Sequence, residues 1–310
     1  MILVTGASGS LGKQLIPLLR SSGRPLRAIV RDPEQAGHLE GVEIVHGDVR
    51  DAGVLRRAVQ GVDVVISAMS GFGAAGDVSL ESVDRDANRE LAATASAAGA
   101  RHMVLVSVVE ASPRHPMDLM KVKFAAEQFV KSSGMDWTII RPAMSAETWA
   151  DILGRPLLQD RKATVFGRGN QPVNFVSARD VARLVALAVG EPALRGLTVD
   201  VGGPENMTMN DFVARFQAET GASGTVSHFP LPVMRVMAVA LRHLKQQISR
   251  QVQAGVYIDT QGLVVDGPAA RQPYPSIPLT SVNEVFRADY PPAVNRPMIS
   301  PSFHSGSPSR

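Results

Sequence analysis

Short runs of consecutive apolar residues alternate with helical patterns over the first 140 residues of the chain. The apolar runs lie at residues 2–5, 27–30, 43–45, 63–67, 103–107 and 137–140. Helical patterns fill the intervals, over about 11–21, 54–59, 84–98 and 118–132. Strands that are apolar at every position are typical of a parallel sheet covered by helices on both faces. Because crossovers between parallel strands are right-handed, the pattern predicts an α/β protein with a Rossmann-type, doubly wound parallel sheet.

The pattern becomes less regular after the sixth predicted strand. Further strands are predicted at 173–177 and 197–203, and helices at 180–189, 209–220 and, as a Met-rich apolar helix, 228–244. We expect residues 1–145 to form the main domain, with 172–202 adding a strand and a helix to it. Residues 146–171 and 203–290 would form a smaller, discontinuous substrate-side subdomain. The Pro- and Ser-rich residues 291–310 are predicted to be a disordered tail.

The composition is that of an ordinary globular protein, and it excludes several classes of function. Of 310 residues, 45% are apolar and 20% are charged, and the formal net charge is only +3. Basic residues are scattered along the chain, which argues against nucleic acid as the main partner. The absence of cysteine excludes disulfides, thiolate metal sites and thiol nucleophiles, and it suits a reducing compartment. No group of His, Asp and Glu has metal-ligand spacing, so no metal is expected.

No segment has the pattern of a membrane anchor or a targeting sequence. The most apolar stretch, 231–241, is too short to cross a bilayer and contains Arg235. The first predicted strand begins at residue 2, which leaves no room for a signal peptide. We therefore expect a cytoplasmic protein without a membrane partner.

Three glycines lie between the first predicted strand and the first predicted helix, in the sequence TGASGSLG. A phosphate reaches the unpaired N–H groups of a helix N-terminus only where side chains are absent. Gly6 allows the sharp exit from the strand, Gly9 the approach of a diphosphate, and Gly12 the close packing of helix on sheet. The alternative is an ordinary glycine-rich turn. Because the loop opens a βα series, we expect it to bind a dinucleotide through Gly6, Ser8, Gly9, Ser10, Leu11 and Gly12.

The residue at the end of the second strand selects between the two nicotinamide dinucleotides. An acidic residue there binds the ribose 2′-hydroxyl of NAD, whereas an arginine binds the 2′-phosphate of NADP. Arg31 occupies this position and is followed by Asp32 and Pro33. The alternative is that Arg31 only caps a solvated edge. We expect NADP as the cofactor, with NADPH favoured over NADH.

Several segments, in a fixed order, resemble a known superfamily. They are TGASGSLG (5–12), VRDP (30–33), GVEIVHGDVRD (41–51), GVDVVISA (61–68), AGARHMVLVS (98–107), KFAAEQFVKSSGMDWTIIRPAM (123–144), VNFVSARDVARLVALAV (173–189) and VDVGGPENMTMNDFVARF (199–216). On these segments the chain resembles the atypical, NmrA-like branch of the short-chain dehydrogenase/reductase superfamily, over most of its length up to about residue 220. The resemblance implies that the main domain binds NAD(P).

The resemblance also assigns further residues to the cofactor. Residues at the ends of the third, fourth and sixth strands would contact the adenine, the ribose and phosphates, and the carboxamide, respectively: Asp48 and Val49, Ala68 and Met69, and Pro142 and Ala143. Lys123 matches the lysine that bonds the nicotinamide ribose hydroxyls. Ser107 closes the fifth strand near the nicotinamide, and Asn88 matches a polar position near the site.

The chain departs from the superfamily four residues before Lys123. Most members that reduce carbonyls have a tyrosine there, which protonates the substrate oxygen, whereas this chain has Leu119. Its three tyrosines all lie far downstream: Tyr257, Tyr274 and Tyr290. The usual proton donor is therefore missing. Lys123 and Ser107 are the remaining catalytic candidates, Lys123 through a bound water or the cofactor's ribose hydroxyl. Binding of the cofactor alone is the alternative role for Lys123.

Other side chains are weaker candidates for the substrate end of the site. His115 lies between prolines in a loop and is expected to be solvated. Apolar residues are candidates for a wall over the nicotinamide, which would suit a flat, apolar substrate, although such residues more often belong to the core. They are Met144, Trp149, Phe175, Met234 and Met237.

The chemistry that survives without the tyrosine is hydride transfer to an acceptor that needs little help from an acid. Loss of a general acid costs about two to four decades in rate. Quinones and conjugated carbonyls nevertheless yield stabilised anions that water can protonate. The sequence therefore predicts an NADPH-dependent oxidoreductase for such small apolar molecules. A non-catalytic NADP sensor of the NmrA type is the alternative, and an epimerase is disfavoured because its chemistry uses the missing tyrosine.

Overall fold

The structure, a computed structural model, describes residues 1–72, 78–240 and 246–292. Its strands are β1 (Ile2–Thr5), β2 (Leu26–Val30), β3 (Glu43–His46), β4 (Val64–Ser67), β5 (His102–Val106), β6 (Asp136–Pro142), β7 (Met144–Ser145), β8 (Lys162–Phe166), β9 (Val173–Val176), β10 (Leu197–Val201), β11 (Asn206–Met207) and β12 (Thr225–Phe229). Nearly all of the predicted tail, 291–310, lies outside the described residues.

Helices alternate with these strands along the chain. They are α1 (Ser10–Arg20), α2 (Ala52–Ala58), α3 (Asn88–Ala97), α4 (Asp118–Lys131), α5 (Ala146–Trp149), α6 (Arg155–Asp160), α7 (Ala178–Gly190), α8 (Met209–Thr220), α9 (Leu231–Ala240), α10 (Gln246–Gln261), α11 (Gly267–Arg271) and α12 (Val282–Asp289). Two π-helical segments, Glu81–Ala87 and Ala150–Gly154, lead into α3 and α6. Short 3-10 turns span Pro33–Ala36 and Pro192–Leu194.

Seven parallel strands form the main sheet, in the order β10-β6-β5-β4-β1-β2-β3. The chain builds one half of this sheet outward from β1 through β2 and β3, and the other half outward through β4, β5 and β6. The strand order therefore reverses between β1 and β4, where parallel α/β sheets open a crevice at their carboxyl edge. The predicted Rossmann-type, doubly wound architecture is confirmed.

Burial on both faces explains why the central strands are apolar throughout. Every residue of β1, β2, β4 and β5 is buried, whereas the edge strands β3 and β10 are partly exposed. Successive side chains enter opposite cores: Ile2 and Val4 belong to one apolar cluster and Leu3 to the other. Helices α1 and α7 cover the first face, and α2, α3 and α4 cover the second.

Two predicted elements form, but in another place or with another boundary. The strand predicted at 173–177 is β9, which pairs with β7 and β11 in a separate three-stranded sheet. The strand that extends the main sheet is β10, which lies beside β6. The Met-rich helix predicted over 228–244 begins only at Leu231, because Thr225–Phe229 pairs with β8 as a strand and Pro230 separates the two elements.

The C-terminal segments share an apolar core with the main sheet. The cluster that contains Ile2 also contains aromatic residues of α8 and α12. Phe175 of β9 stacks on Phe212 with 4.3 Å between ring centroids, and Phe286 meets Phe212 edge-on at 5.0 Å. This continuous packing fixes the substrate-side segments over the carboxyl edge of the main sheet.

Candidate active site

A cleft of about 790 Å³ follows the carboxyl edge of the main sheet. Residues at the ends of six strands, β1 to β6, form its floor, and residues of α5, the following π-helical segment and α10 lie over it. It lies where the strand order reverses, the place at which open α/β sheets bind ligands. Of the residues predicted to bind the cofactor, to act in catalysis or to lie near the site, Gly12 and Asn88 do not line it. Those that do are Gly6, Ser8, Gly9, Ser10, Leu11, Arg31, Asp48, Val49, Ala68, Met69, Ser107, Lys123, Pro142 and Ala143.

The three glycines of the first loop do different work. Gly6 has a φ of +78°, and a Cβ there would lie 2.4 Å from the carbonyl oxygen of Ala68. A Cβ on Gly12 would lie 2.2 Å from the carbonyl oxygen of Ala7, so this residue serves the packing of α1. Gly9, the N-cap of α1, is exposed, and its added Cβ would meet only the Gly6 carbonyl oxygen at 3.4 Å.

The loop therefore fits a dinucleotide diphosphate. The protein itself needs glycine at 6 and at 12, whereas at Gly9 bare backbone faces the cleft beside the first turn of α1. A helix N-terminus offers N–H groups and a partial positive charge to an anion. We call this bare backbone at Gly9 and the first turn of α1 the glycine cradle. A side chain at position 9 would fill it.

Arg31 also lines the cleft, and its side chain is exposed there. Asp32 also lines the cleft, but one of its carboxylate oxygens accepts the Glu34 N–H at 3.0 Å and caps the turn that follows β2. The Asp48 carboxylate accepts two side-chain hydrogen bonds from Arg50, at 2.8 and 2.9 Å. These bonds, with a smaller contribution from the charge of Arg31, hold the pKa of Asp48 below its usual range.

Lys123 is a buried clamp in the wall of the cleft. Its ammonium nitrogen lies 2.9 Å from Oδ1 of Asp84 and donates to the carbonyl oxygens of Met69 at 3.0 Å and Val106 at 3.2 Å. The other Asp84 oxygen accepts the Gly71 N–H at 2.8 Å. The ammonium thus makes two hydrogen bonds to carbonyl oxygens and one close ion pair with Asp84. The resemblance implies that Lys123 bonds the nicotinamide ribose hydroxyls. This stays a prediction, and those hydroxyls would compete with the protein oxygens named above.

Asn88, the other polar position that the resemblance assigned to the site, is buried behind the wall of the cleft. Its side-chain oxygen accepts the Ser67 hydroxyl at 2.6 Å, and its amide donates to the carbonyl oxygen of Asp84 at 2.8 Å. It therefore supports the π-helical segment that carries Asp84, behind the surface that faces the cleft.

Ser107 lines the cleft, but its hydroxyl points to a buried carboxylate. It donates to Oε1 of Glu127 at 2.5 Å, and Arg141 binds the same carboxylate through two hydrogen bonds of 2.6 and 2.8 Å. The role of Ser107 as a donor to a substrate oxygen, expected from the sequence, would require the loss of its bond to Glu127. The geometry assigns it to the ion pair that supports the end of β5.

The far end of the cleft is an apolar chamber. Its walls are Met117, Leu119, Met144, Trp149, Ile152, Ala254 and Ile258. The predicted wall residues Met144 and Trp149 are among them. Phe175 lies instead in the core against Phe212, and Met234 is fully buried outside the lining.

The structure brings one downstream tyrosine to this chamber, which the sequence interpretation missed. Tyr257 lines the cleft and donates its hydroxyl to Oε2 of Glu110 at 2.8 Å. Burial, and then the hydrogen bond to Glu110, raise the pKa of Tyr257 to about 12. His115 packs on the tyrosine with 4.5 Å between ring centroids and is buried, so its expected solvation is wrong. The signal available in the sequence was the helical spacing of Gln251, Ala254 and Ile258, which puts one face of α10 over the site.

Two absences concern the described residues only. Within residues 1–72, 78–240 and 246–292, no group of three or more His, Cys, Asp or Glu side chains is placed to hold a metal ion. No helix in this part of the chain is both long enough and apolar enough to cross a membrane.

Comparison with known proteins agrees with this geometry. The model of a family described as NAD(P)H-binding matches residues 6–192. A (4-alkanoyl-5-oxo-2,5-dihydrofuran-3-yl)methyl phosphate reductase of Streptomyces griseus is 32% identical over 226 residues, covering 71% of this chain and 74% of its own. An NAD(P)H azoreductase of Xenophilus azovorans is 26% identical over 251 residues, 80% of each chain. Among solved structures, an NADPH-dependent quinone oxidoreductase of Escherichia coli in complex with NADPH superposes with a TM-score of 0.73 at 21% identity, covering 93% of this chain and 99% of its own.

Proposed function

The chain belongs to the NAD(P)H-binding family and is an oxidoreductase; we propose that NADPH is its reductant and that a quinone or a conjugated carbonyl compound is its acceptor. One observation carries the proposal. The glycine cradle and the apolar chamber line a single cleft, so a dinucleotide held at the cradle can reach the chamber. Names of relatives that reduce azo, furanone and quinone compounds support the same class of acceptor.

The residues of the cleft divide the work between binding and exclusion of water. Backbone at Gly9 and the first turn of α1 binds the diphosphate, and Arg31 binds the 2′-phosphate. Bound NADPH supplies the hydride. The chamber walls hold a flat acceptor against the nicotinamide and keep water away from the reacting carbon. Lys123 holds together the ends of β4 and β5 and the π-helical segment that carries Asp84. These elements lie beside the part of the cleft that would bind the nicotinamide.

Turnover of candidate acceptors distinguishes an oxidoreductase from a non-catalytic NADP sensor. Purified protein is mixed with NADPH and either menadione or 2-cyclohexen-1-one, and the loss of nicotinamide absorbance is followed. We expect steady turnover with at least one of these acceptors. Tight NADPH binding without turnover on any quinone or enone would contradict the proposal and favour the NADP sensor.

The choice between NADPH and NADH depends on Arg31. We expect Arg31→Gln to weaken NADPH binding about 10- to 100-fold, because one charge-assisted interaction with the 2′-phosphate is lost. The affinity for NADH should barely change. Fluorescence titration of the two nucleotides measures both affinities, with Arg195→Gln, an arginine outside the cleft paired with Asp136, as the control. An equal loss for both nucleotides would show that Arg31 does not recognise the 2′-phosphate.

The remaining expectations belong to the same proposal. A small apolar substrate suits the walls of the chamber. A cytoplasmic location is supported by the absence of cysteine, which suits a reducing compartment.

A further inference from the structure

Tyr257, Glu110 and His115 form a group of contacting side chains beside the apolar chamber. The cofactor contacts described above do not involve it. Tyr257 is the member that lines the cleft, on the same face of α10 as Ala254 and Ile258. Its hydroxyl is a polar group beside the apolar residues of the chamber, Ala254 and Ile258 among them.

Neighbouring residues hold the group in one arrangement. The Met117 N–H donates to Nδ1 of His115 at 3.1 Å, so the proton of the neutral ring lies on Nε2. Nε2 lies 3.5 Å from Oε2 of Glu110, the same oxygen that accepts the Tyr257 hydroxyl. The histidine ring therefore supports both partners of the hydrogen bond.

Glu110 itself adopts an unfavourable backbone conformation. Its φ is +61°, in the left-handed region that non-glycine residues rarely occupy. Such strain persists where the surrounding structure fixes it, and it concentrates at functional sites. Here it lies in the turn after β5, and it presents the Glu110 carboxylate to a helix 147 residues further along the chain.

The group also connects the chamber with solvent. The Glu110 side chain is 40% exposed, whereas that of His115 is 7% exposed. Tyr257 lies between the exposed carboxylate and the lining of the cleft. A proton can thus pass from water to Glu110, from Glu110 to Tyr257, and from Tyr257 into the chamber.

We propose that Tyr257 protonates the oxygen of a conjugated carbonyl acceptor and that Glu110 returns a proton from solvent to Tyr257. The inference rests on the proposed oxidoreductase function and narrows it. Tyr257 would take the role that the tyrosine missing at Leu119 has in the superfamily, from another element of the fold.

The step balances without a further reactant. The acceptor takes a hydride at its β-carbon, and the carbon–carbon and carbon–oxygen π electrons shift to place the charge on oxygen. The O–H bond of Tyr257 breaks as the O–H bond of the enol forms. The phenolate of Tyr257 then takes a proton from Glu110, which has taken one from water, so the net reactants are a hydride and a solvent proton.

The two classes of acceptor should depend on Tyr257 to different extents. Reduction of a quinone gives a hydroquinone anion, which is a weaker base than the enolate of a simple enone. A phenol whose pKa is raised to about 12 is a poor acid toward the weaker base. Tyr257 therefore favours enones, and quinones should react without its proton.

The test compares Tyr257→Phe with Tyr274→Phe, since Tyr274 is a partly buried tyrosine outside the cleft lining. With 2-cyclohexen-1-one, kcat of Tyr257→Phe should fall about 100-fold or more, the usual contribution of a general acid. With menadione, kcat should change little, and the NADPH affinity measured by fluorescence should be that of the wild type. The solvent deuterium isotope effect of wild-type enone reduction should disappear in Tyr257→Phe. If the wild type reduces only the enone, this isotope effect tests the proton transfer from Tyr257 in place of the comparison with menadione.

Each other outcome overturns the inference. Unchanged enone kcat, or an equal loss with both acceptors, would make Tyr257 a wall residue while the oxidoreductase function stands. Wild-type turnover of menadione alone would also leave the function intact and the proton donor without a use. Turnover of neither acceptor by the wild type would remove the proposed function and the inference with it.

Discussion

Valine at position 9 is expected to abolish NADPH binding in a chain that remains folded. The side chain would occupy the bare surface where the diphosphate approaches the first turn of α1, and it would meet little else in the protein. Loss of about two hydrogen bonds to a charged group weakens binding by about 100-fold or more. Gly9 has a φ of −78° and a ψ of 175°, an extended conformation that valine adopts without strain.

Valine at position 12 is expected to lower the stability of the fold, whereas valine at position 9 should affect mainly NADPH binding. Its Cβ would lie 2.2 Å from the carbonyl oxygen of Ala7, so α1 must move away from the loop. Overpacking of this kind costs about 1 to 3 kcal/mol or more of unfolding free energy. Thermal unfolding and NADPH titration of Gly9→Val and Gly12→Val distinguish the two effects. Gly190→Val, with no atom within 4 Å of the added Cβ, is the control. NADPH binding by Gly9→Val with wild-type affinity would show that the cradle does not hold the diphosphate.

Replacement of Lys123 by methionine is expected to lower the unfolding free energy by about 3 to 5 kcal/mol, because it removes the ammonium that lies 2.9 Å from the fully buried Asp84 carboxylate. The carbonyl oxygens of Met69 and Val106 would lose a shared donor at the same time. Turnover should fall with stability, since these residues form the cleft wall.

The double variant Lys123→Met with Asp84→Asn separates charge from position. The amide oxygen can still accept the Gly71 N–H, and neither member of the buried Lys123–Asp84 pair is then charged, so much of the stability should return while turnover stays low. Urea unfolding measures the first effect and NADPH oxidation the second. Lys121→Met, on the same helix and paired with Asp118 at the surface, should cost less than about 1 kcal/mol. If the double variant is no more stable than Lys123→Met, the unpaired carboxylate is not the cause of the loss.

The parts of the fold that sequence patterns predicted best are those in which burial alone decides the pattern. β1, β2, β4 and β5 are buried on both faces, so their apolar runs have one interpretation. β9 is equally buried, and for that reason its sequence could not show that it belongs to the second sheet. β12 is mostly exposed and adjoins an apolar helix, so the two merged into one predicted helix.

The residues of the candidate site also differ in whether the sequence could predict them. Local sequence placed the cradle, Arg31 and the strand ends in the cleft, because each follows directly from a strand that could be recognised. The partners of individual side chains depend on long-range packing and were not predictable. Asp84 lies on a π-helical segment that brings it to Lys123, and Tyr257 lies on α10, which brings it to Glu110. No local sequence motif predicts either contact.

The position of β10 has a consequence for how the protein is made. This strand pairs with β6, although Leu197 follows its partner Thr138 by 59 positions in the sequence. A ribosome-bound chain that has emerged only as far as residue 145 therefore carries a cofactor-binding sheet with β6 as an open edge, which is a template for pairing with other chains. The nascent protein is exposed to aggregation until the next 56 or so residues have emerged and β10 has docked.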